Sequence, residues 1–198
     1  MVTATFNYGM TIGGTSLQGQ IVRSAEGLIT QEPDLPAAKA GSLTTRTDDD
    51  TGSVTLSTGH GIATNDIVDV YWVGGVRYGM TATVTGNVVA VDGGAGTALP
   101  AAATAMTMAV QIVVDCDVAG SQLSALAITC LQRCHLHYTT NADASLLAIP
   151  IAANEPYTWI SGTGPANPLA GGAVGKIKVS NGSTEAAVLR VSMLYESV

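Results

Sequence analysis

The segment Asp66–Val91 reads DIVDVYWVGGVRYGMTATVTGNVVAV. Its apolar residues recur at alternate positions: Val68, Val70 and Trp72, then Met80, Ala82 and Val84. That is the period of a β-strand, whose successive side chains leave opposite faces of a sheet. Gly74-Gly75 and Gly86-Asn87 separate the runs, and such pairs suit the two-residue loops of hairpins. With Gly first, Gly86-Asn87 fits a type II′ turn. Strands joined by loops this short are antiparallel neighbours. The pattern predicts a meander whose outer face carries Asp66, Ile67, Asp69 and Tyr71, with both carboxylates in solvent.

The same reading extends outward. Ser53–Ser57 alternates with Val54 and Leu56 on one face, and Thr58–Gly61 turns, with His60 as a turn residue. Residues 44–110 therefore read as a small β-barrel or meander. Met106, Met108, Val110, Ile112 and Val114 share one face of a long strand leading into residues 111–198, which read as a jelly-roll-like β-sandwich. There, Lys176–Ser180 alternates up to Asn181-Gly182, a strong hairpin cue. Ala187–Tyr195 then places Ala187, Leu189, Val191 and Met193 inward, as a strand inside a sheet. Trp159, Pro165 and Pro168 are assigned to a long loop. Ser121–Tyr138 fits a helical stripe or a strand face, and its all-β surroundings favour the strand. Residues 1–43 are punctuated by Gly13-Gly14, Gly27, Pro33 and Pro36 and read as an N-terminal extended arm with two short strands. The fold class expected is all-β.

Composition narrows the function. Charged residues make up 12% of the 198, against about 25% in an ordinary soluble domain, while 46% are hydrophobic and 5% aromatic. A lone soluble protein keeps its surface charged and free of apolar patches. A surface this poor in charge suits a subunit covered by its neighbours. The net charge is −7, and acids lead bases in both halves, so no basic patch offers itself to nucleic acid. Ala98–Val114 is interrupted by Pro100, Thr104, Thr107 and Gln111 and does not predict a membrane span. Met1–Asn7 lacks the basic and apolar regions of a signal peptide. Cys116, Cys130 and Cys134 are expected to be free thiols in a reducing cytoplasm.

The residues that hint at chemistry do not assemble a site. Cys130, Cys134, His135 and His137 resemble zinc ligands, but a straight strand puts the cysteines on one face and the histidines, with Arg133, on the other. They read as core cysteines and a solvated or interface histidine pair. The remaining case is a histidine pair meeting its symmetry mates around a three-fold axis. Asp48-Asp49-Asp50 lacks the glycine and glutamate spacing of a calcium loop and reads as an acidic turn, with Arg46 pairing locally. Asp92–Gly96 lacks the Lys-Ser/Thr and the helix of a phosphate loop and reads as a turn. No catalytic residue, metal ligand or cofactor is expected.

Three stretches carry a resemblance. Leu35–Gly52, continuing through Ser57–Gly61 to Asp69–Gly75, is similar to structural proteins of tailed bacteriophage virions, and Ala153–Trp159 and Asn167–Gly171 resemble the β-sandwich part of such proteins. The resemblance implies a capsid cement (decoration) protein: a homotrimer on the outer capsid surface, assembled in the bacterial cytoplasm, that clamps major capsid protein subunits. A tail subunit is equally a member of that class. Neither implies an active site, a nucleic-acid partner or a membrane. The candidate interface residues are Phe6, Tyr8, Leu28 and Ile29 of the arm with Tyr157 and Trp159 downstream.

Two other classes compete. A carbohydrate-binding module for host attachment would stack Trp159, Tyr157 and Trp72 on sugar faces. A hydrolase would need His60, His135 or His137 beside a nucleophile.

Overall fold

A computed structural model describes residues 2–12, 15–25, 27–115, 122–140, 143–162 and 176–196, with side chains described over 28–114, 122–137, 148–162 and 177–196. All of it is β-structure, turn or loop, apart from a single helical-turn residue at Gln122. The expected all-β class and the small barrel are both present.

The chain opens with β1 (Val2–Ile12) and β2 (Thr15–Ala25), paired antiparallel along their whole length from Val2↔Ala25 to Ile12↔Thr15. These strands are longer than the two short ones expected. Then come β3 (Gly27–Gln31) and β4 (Asp34–Leu35), which pair with a strand far downstream.

Next the barrel forms. It uses β5 (Lys39–Arg46), β6 (Gly52–Leu56), β7 (Ile67–Trp72), β8 (Gly75–Thr85), β9 (Val88–Asp92) and β11 (Ala105–Val110), with β10 (Ala95–Gly96) lying beside β8. The strands hydrogen-bond in the order β8-β7-β11-β5-β6-β9, and β9 returns to β8, so the sheet closes on itself. Closure removes the exposed edges an open meander would leave. The alternating residues fill the interior: Val54, Val68, Val70, Met80, Ala82, Val89 and Met108 are each 0% exposed. Burying one such side chain contributes about 1.5–3 kcal/mol. Gly86 takes φ 62° and Asn87 does not, as a type II′ loop requires.

The remaining strands are β12 (Ile112–Asp115), β13 (Leu123–Cys130), β14 (Cys134–Thr140), β15 (Asp143–Ile151), β16 (Tyr157–Ile160), β17 (Lys176–Asn181) and β18 (Ala187–Tyr195). One sheet runs β12-β17-β14-β15 and the other β16-β13-β18-β3, with β4 also on β18. Both sheets supply one core, including Val114, Leu136, Ile177 and Val179 from the first and Leu126, Ile128, Leu189 and Met193 from the second. β18 lies inside its sheet and buries Leu189, Val191 and Met193, as its alternation predicted.

Several expectations change. The long strand through Val110 and Ile112 breaks at Gln111: Met106 and Met108 enter the barrel core, whereas Val114 enters the second core. Its residues keep one period, but the strand exchanges partners from β7 to β17. Of the stretch Ser121–Tyr138, Leu123–Tyr138 is strand, interrupted at Leu131–Arg133 where the chain crosses between sheets, and Ser121 lies outside the described residues. Asn181-Gly182 is not a tight hairpin, because β17 and β18 belong to different sheets. Asn181 organises that crossing, donating to the carbonyls of Pro36 (3.2 Å) and Glu185 (2.7 Å). Trp159 lies on a strand, not in a loop. Pro165 and Pro168 fall outside the described residues.

The acidic and glycine-rich turns are as read. Asp48 accepts from the backbone N–H groups of Asp50 and Thr51, and Arg46 pairs with Asp49. Arg77 donates to the carbonyls of Gly93 (2.6 Å) and Gly94 (2.9 Å). His60 ties its own turn: Nδ1 accepts from Ile62 N–H at 3.1 Å and Nε2 faces Gly86 O at 3.2 Å.

Gly94 combines φ +73° with a position where a Cβ would lie 2.3 Å from the Tyr78 carbonyl oxygen. Gly94→Ala is expected to destabilise the protein by about 2–4 kcal/mol, from backbone strain plus overpacking. Gly59→Ala, at φ +76° with open space around it, should cost about 1 kcal/mol. Denaturant unfolding of both variants checks the difference.

Candidate functional site at the barrel junction

Asp69 is the unexpected residue. It sits on β7 among Val68, Val70 and Trp72 and is 0% exposed. The expectation of a solvated carboxylate is wrong because the outer face of β7 is covered by β14 and β17. His135 and His137 of β14, each 3% exposed, and Ser180 of β17 meet Asp69 and Tyr71 there. The histidine pair is thus neither solvated nor free to gather around a symmetry axis. It lies at an interface within the chain.

The hydrogen bonds assign the protons. Asp69 Oδ1 accepts from Gly79 N–H at 2.8 Å and from Gln111 Nε2 at 2.7 Å. Asp69 Oδ2 lies 2.8 Å from His137 Nε2. A carboxylate only accepts, so Nε2 carries the hydrogen. The Tyr71 hydroxyl lies 3.1 Å from His135 Nδ1 and 2.9 Å from Ser180 Oγ. Around these bonds the rings of Tyr71, Tyr78, His135 and His137 pack with centroids 5.2–6.2 Å apart.

Titration follows from this burial. Desolvation pushes the Asp69 carboxyl up, but the hydrogen bonds and charge of His137, with those of Ser180 and Gly79, outweigh it and hold Asp69 below the usual carboxylate range. Burial, then the Asp69 charge, pushes the Tyr71 and Tyr78 phenols up. Burial, then the Arg133 guanidinium, lowers His135 to about 4. A neutral imidazole there suits the Tyr71 hydroxyl, which needs an acceptor.

Asp, His and Ser side by side suggest a nucleophilic triad, and the geometry rules out its relay. A triad uses one ring nitrogen for the carboxylate and the other for the serine. Here Asp69 and Ser180 both approach His137 Nε2, at 2.8 and 3.0 Å, and His137 Nδ1 is buried with no hydrogen-bond partner among the described residues. Ser180 is 0% exposed. The cluster is a polar latch that joins the barrel to the two-sheet half. Beside it lies a cleft of about 680 Å³ lined by Trp72, Tyr78, Arg133, His135 and Ser183, among others.

The candidate interface residues are dispersed. Phe6 pairs with Ile21 and Tyr8 with Gly19 in the β1–β2 ribbon. Leu28 and Ile29 lie on β3 opposite Leu194 and Met193; Leu28 is 51% exposed and Ile29 packs against the core. Tyr157 packs against the same core, and Trp159 is buried inside it at 4% exposure. Among the described residues no group of His, Cys, Asp or Glu is placed to hold a metal ion. Comparisons with protein-family models, curated proteins and solved structures find no match to this chain.

Two outcomes are expected. Asp69→Ala strands Gln111, His137 and the Gly79 N–H, and should cost about 3 kcal/mol. Asp66→Ala, which removes only the 2.8 Å bond to Ala63 N–H in a surface turn, should cost about 1 kcal/mol. Denaturant unfolding at neutral pH measures both. Between pH 6.5 and about 4 the unfolded chain takes up a proton at His135 that the folded chain refuses, so stability falls as pH falls through that window. Below it, Asp69 adds to the loss as the unfolded carboxyl protonates first. His135→Asn should therefore flatten the unfolding free energy between pH 6.5 and 4, by on the order of 3 kcal/mol relative to the unsubstituted chain.

Proposed function

We propose that the chain is a non-enzymatic structural subunit of a tailed-phage virion, a capsid cement protein that binds the outer capsid as a homotrimer and clamps major capsid subunits. The observation that carries this reading is the β1–β2 ribbon. Its strands pair only with each other among the described residues. Register and pleat put Val2, Ala4, Phe6, Tyr8, Met10 and Ile12 on the same face as Thr15, Leu17, Gly19, Ile21, Arg23 and Ala25. Thr3, Thr5, Asn7 and Thr11 share the other face with Ser16, Gln18, Gln20, Val22 and Ser24. An isolated two-stranded hairpin is marginal in water. A ribbon of this length, with most of its apolar residues on one face, gains its stability from a surface laid against it.

The low charge supports the same reading. So does Val113 on β12, an apolar side chain that is 51% exposed. In this reading the ribbon is the N-terminal arm, the two sheets sharing one core form the jelly-roll-like sandwich, and the contacts act together through multivalency. Neither nucleic acid nor membrane is a partner, and assembly takes place in the bacterial cytoplasm before the subunit joins the virion.

One observation favours a second reading. Trp72 and Tyr78 line the junction cleft with Arg133, which is where a carbohydrate-binding module would seat a sugar. Trp159, the other stacking candidate, is enclosed by its own core.

Immunogold electron microscopy of phage particles from a culture producing the chain tests the proposal. Dense labelling of the capsid surface is expected. Labelling confined to the tail would replace the cement role with a tail role, and unlabelled particles would overturn the virion reading.

A further inference from the structure

The cleft beside the latch, of about 680 Å³, brings one cation together with aromatic rings and small walls. Its volume falls in the range of small-molecule sites, roughly 300–1,000 Å³. The cation is Arg133, an exposed residue in the turn between β13 and β14. The other arginines with described side chains each meet a carboxylate: Arg46 with Asp49, Arg77 with Asp50 and Arg190 with Glu32. Arg133 has no ion pair or hydrogen bond among the described residues. No acid lines the cleft, although the chain carries a net charge of −7. The Asp69 carboxylate nearby is occupied by Gly79, Gln111 and His137, and Glu185 accepts from Gln132 Nε2 at 2.9 Å. A guanidinium left open in this way is a fork for a carboxylate from outside the chain.

The aromatic wall is fixed by its neighbours. Trp72 pairs with Gly75 across the β7–β8 hairpin, and a Cβ on Gly75 would lie 2.5 Å from the indole ring. The indole keeps its place because residue 75 has no side chain. Tyr78 is flanked by the rings of His135 and Tyr71, with centroids 5.4 and 6.2 Å away. Trp72 and Tyr78 are both half-buried, so each keeps part of its surface open. Gly74, Gly182 and Ala153 add wall without bulk. Ser183 Oγ accepts from Glu185 N–H at 3.2 Å, which leaves the hydroxyl hydrogen to be donated.

We propose that the junction cleft binds a hexuronic acid, free or glycosidically linked, with Arg133 on its carboxylate and Trp72 and Tyr78 against its ring.

This site rests on the sugar-binding reading of the cleft and is independent of the virion reading. One guanidinium matches one carboxylate. The C–H face of a pyranose packs on aromatic rings, and its hydroxyls need uncharged partners such as Ser183. A ligand with many negative charges would meet the repulsion of an acidic protein.

Calorimetric titration of the full chain tests the site. The probes are the methyl glycosides of glucuronic and galacturonic acid, the matching methyl glucoside and galactoside, the two free acids, and benzoate. One uronide should bind tighter than its neutral counterpart by about tenfold, the worth of a charged hydrogen-bonded pair. Arg133→Gln should abolish that ratio, whereas Gly75→Ala, which displaces the indole, should weaken uronide and neutral sugar alike. Added salt should weaken the uronide more than the neutral sugar, a reading on the unsubstituted chain that stands should a variant fail to fold. Equal affinity for uronide and neutral sugar would overturn the acidic specificity and leave the sugar-binding reading in place. Binding of benzoate without any sugar would overturn the sugar-binding reading and the ligand class together, and so would binding of no probe at all. Tighter binding of the methyl glycosides than of the free acids would place the uronic acid within a glycan, and the reverse would make the ligand a free sugar acid.

Discussion

The buried carboxylate of Asp69 is the constraint on which the rest of the molecule turns. An ionised group in a protein interior is costly unless its oxygens are fully occupied. Here Gly79 and Gln111 occupy one oxygen and His137 the other. The donors come from both halves of the body, so this carboxylate is satisfied only when barrel and sheets are docked. Gln111 is central to the arrangement. Its backbone N–H bonds Ile67 O at 2.8 Å while its amide reaches Asp69, at the point where the chain leaves the barrel. One residue thereby extends the β7–β11 pairing, shares in satisfying the buried charge and marks where the strand changes partners.

This docking gives the ribbon its significance. The barrel has no free edge, and the two sheets downstream bury their apolar faces in a common core. β1 and β2 have no such arrangement among the described residues. In the proposed reading, a body held together by an interior polar lattice and a closed barrel keeps its own fold while the β1–β2 ribbon serves attachment. That division suits a subunit whose stability is internal and whose attachment lies elsewhere. Leu131 at 62% and Val73 at 99% exposure are apolar points on the surface of the body.

What was legible in the sequence was periodic. Alternation at Val68–Trp72, Met80–Val84 and Ala187–Met193 identified strands and inward faces because β-structure repeats locally every two residues. Closure into a barrel was legible only as an alternative to a meander, since the β8–β9 and β6–β9 pairings depend on the path of the whole sheet. The breaks at Gln111 and Leu131–Arg133 were hidden for another reason: the apolar period continues across both, and only the partner changes. The same holds for Asn181-Gly182, a hairpin signal used at a crossing between sheets. The latch carried a faint signal. Asp69 and Tyr71 share one face of β7, and His135 and His137 share one face of β14, so two strands each show a polar pair two residues apart. Nothing local says that these pairs face each other. Trp159 misled for the opposite reason, since its prolines and glycines downstream suggested a loop while the four residues around it pair with β13.

The most direct measurement is the solution mass of the purified chain by light scattering across a dilution series, beside a chain lacking residues 1–25. If the ribbon is an attachment element between copies, the full chain holds a stable oligomer with three-fold stoichiometry and the shortened chain is a folded monomer. A full chain that is monodisperse and monomeric at every concentration, or a shortened chain with undiminished oligomer mass, would contradict it.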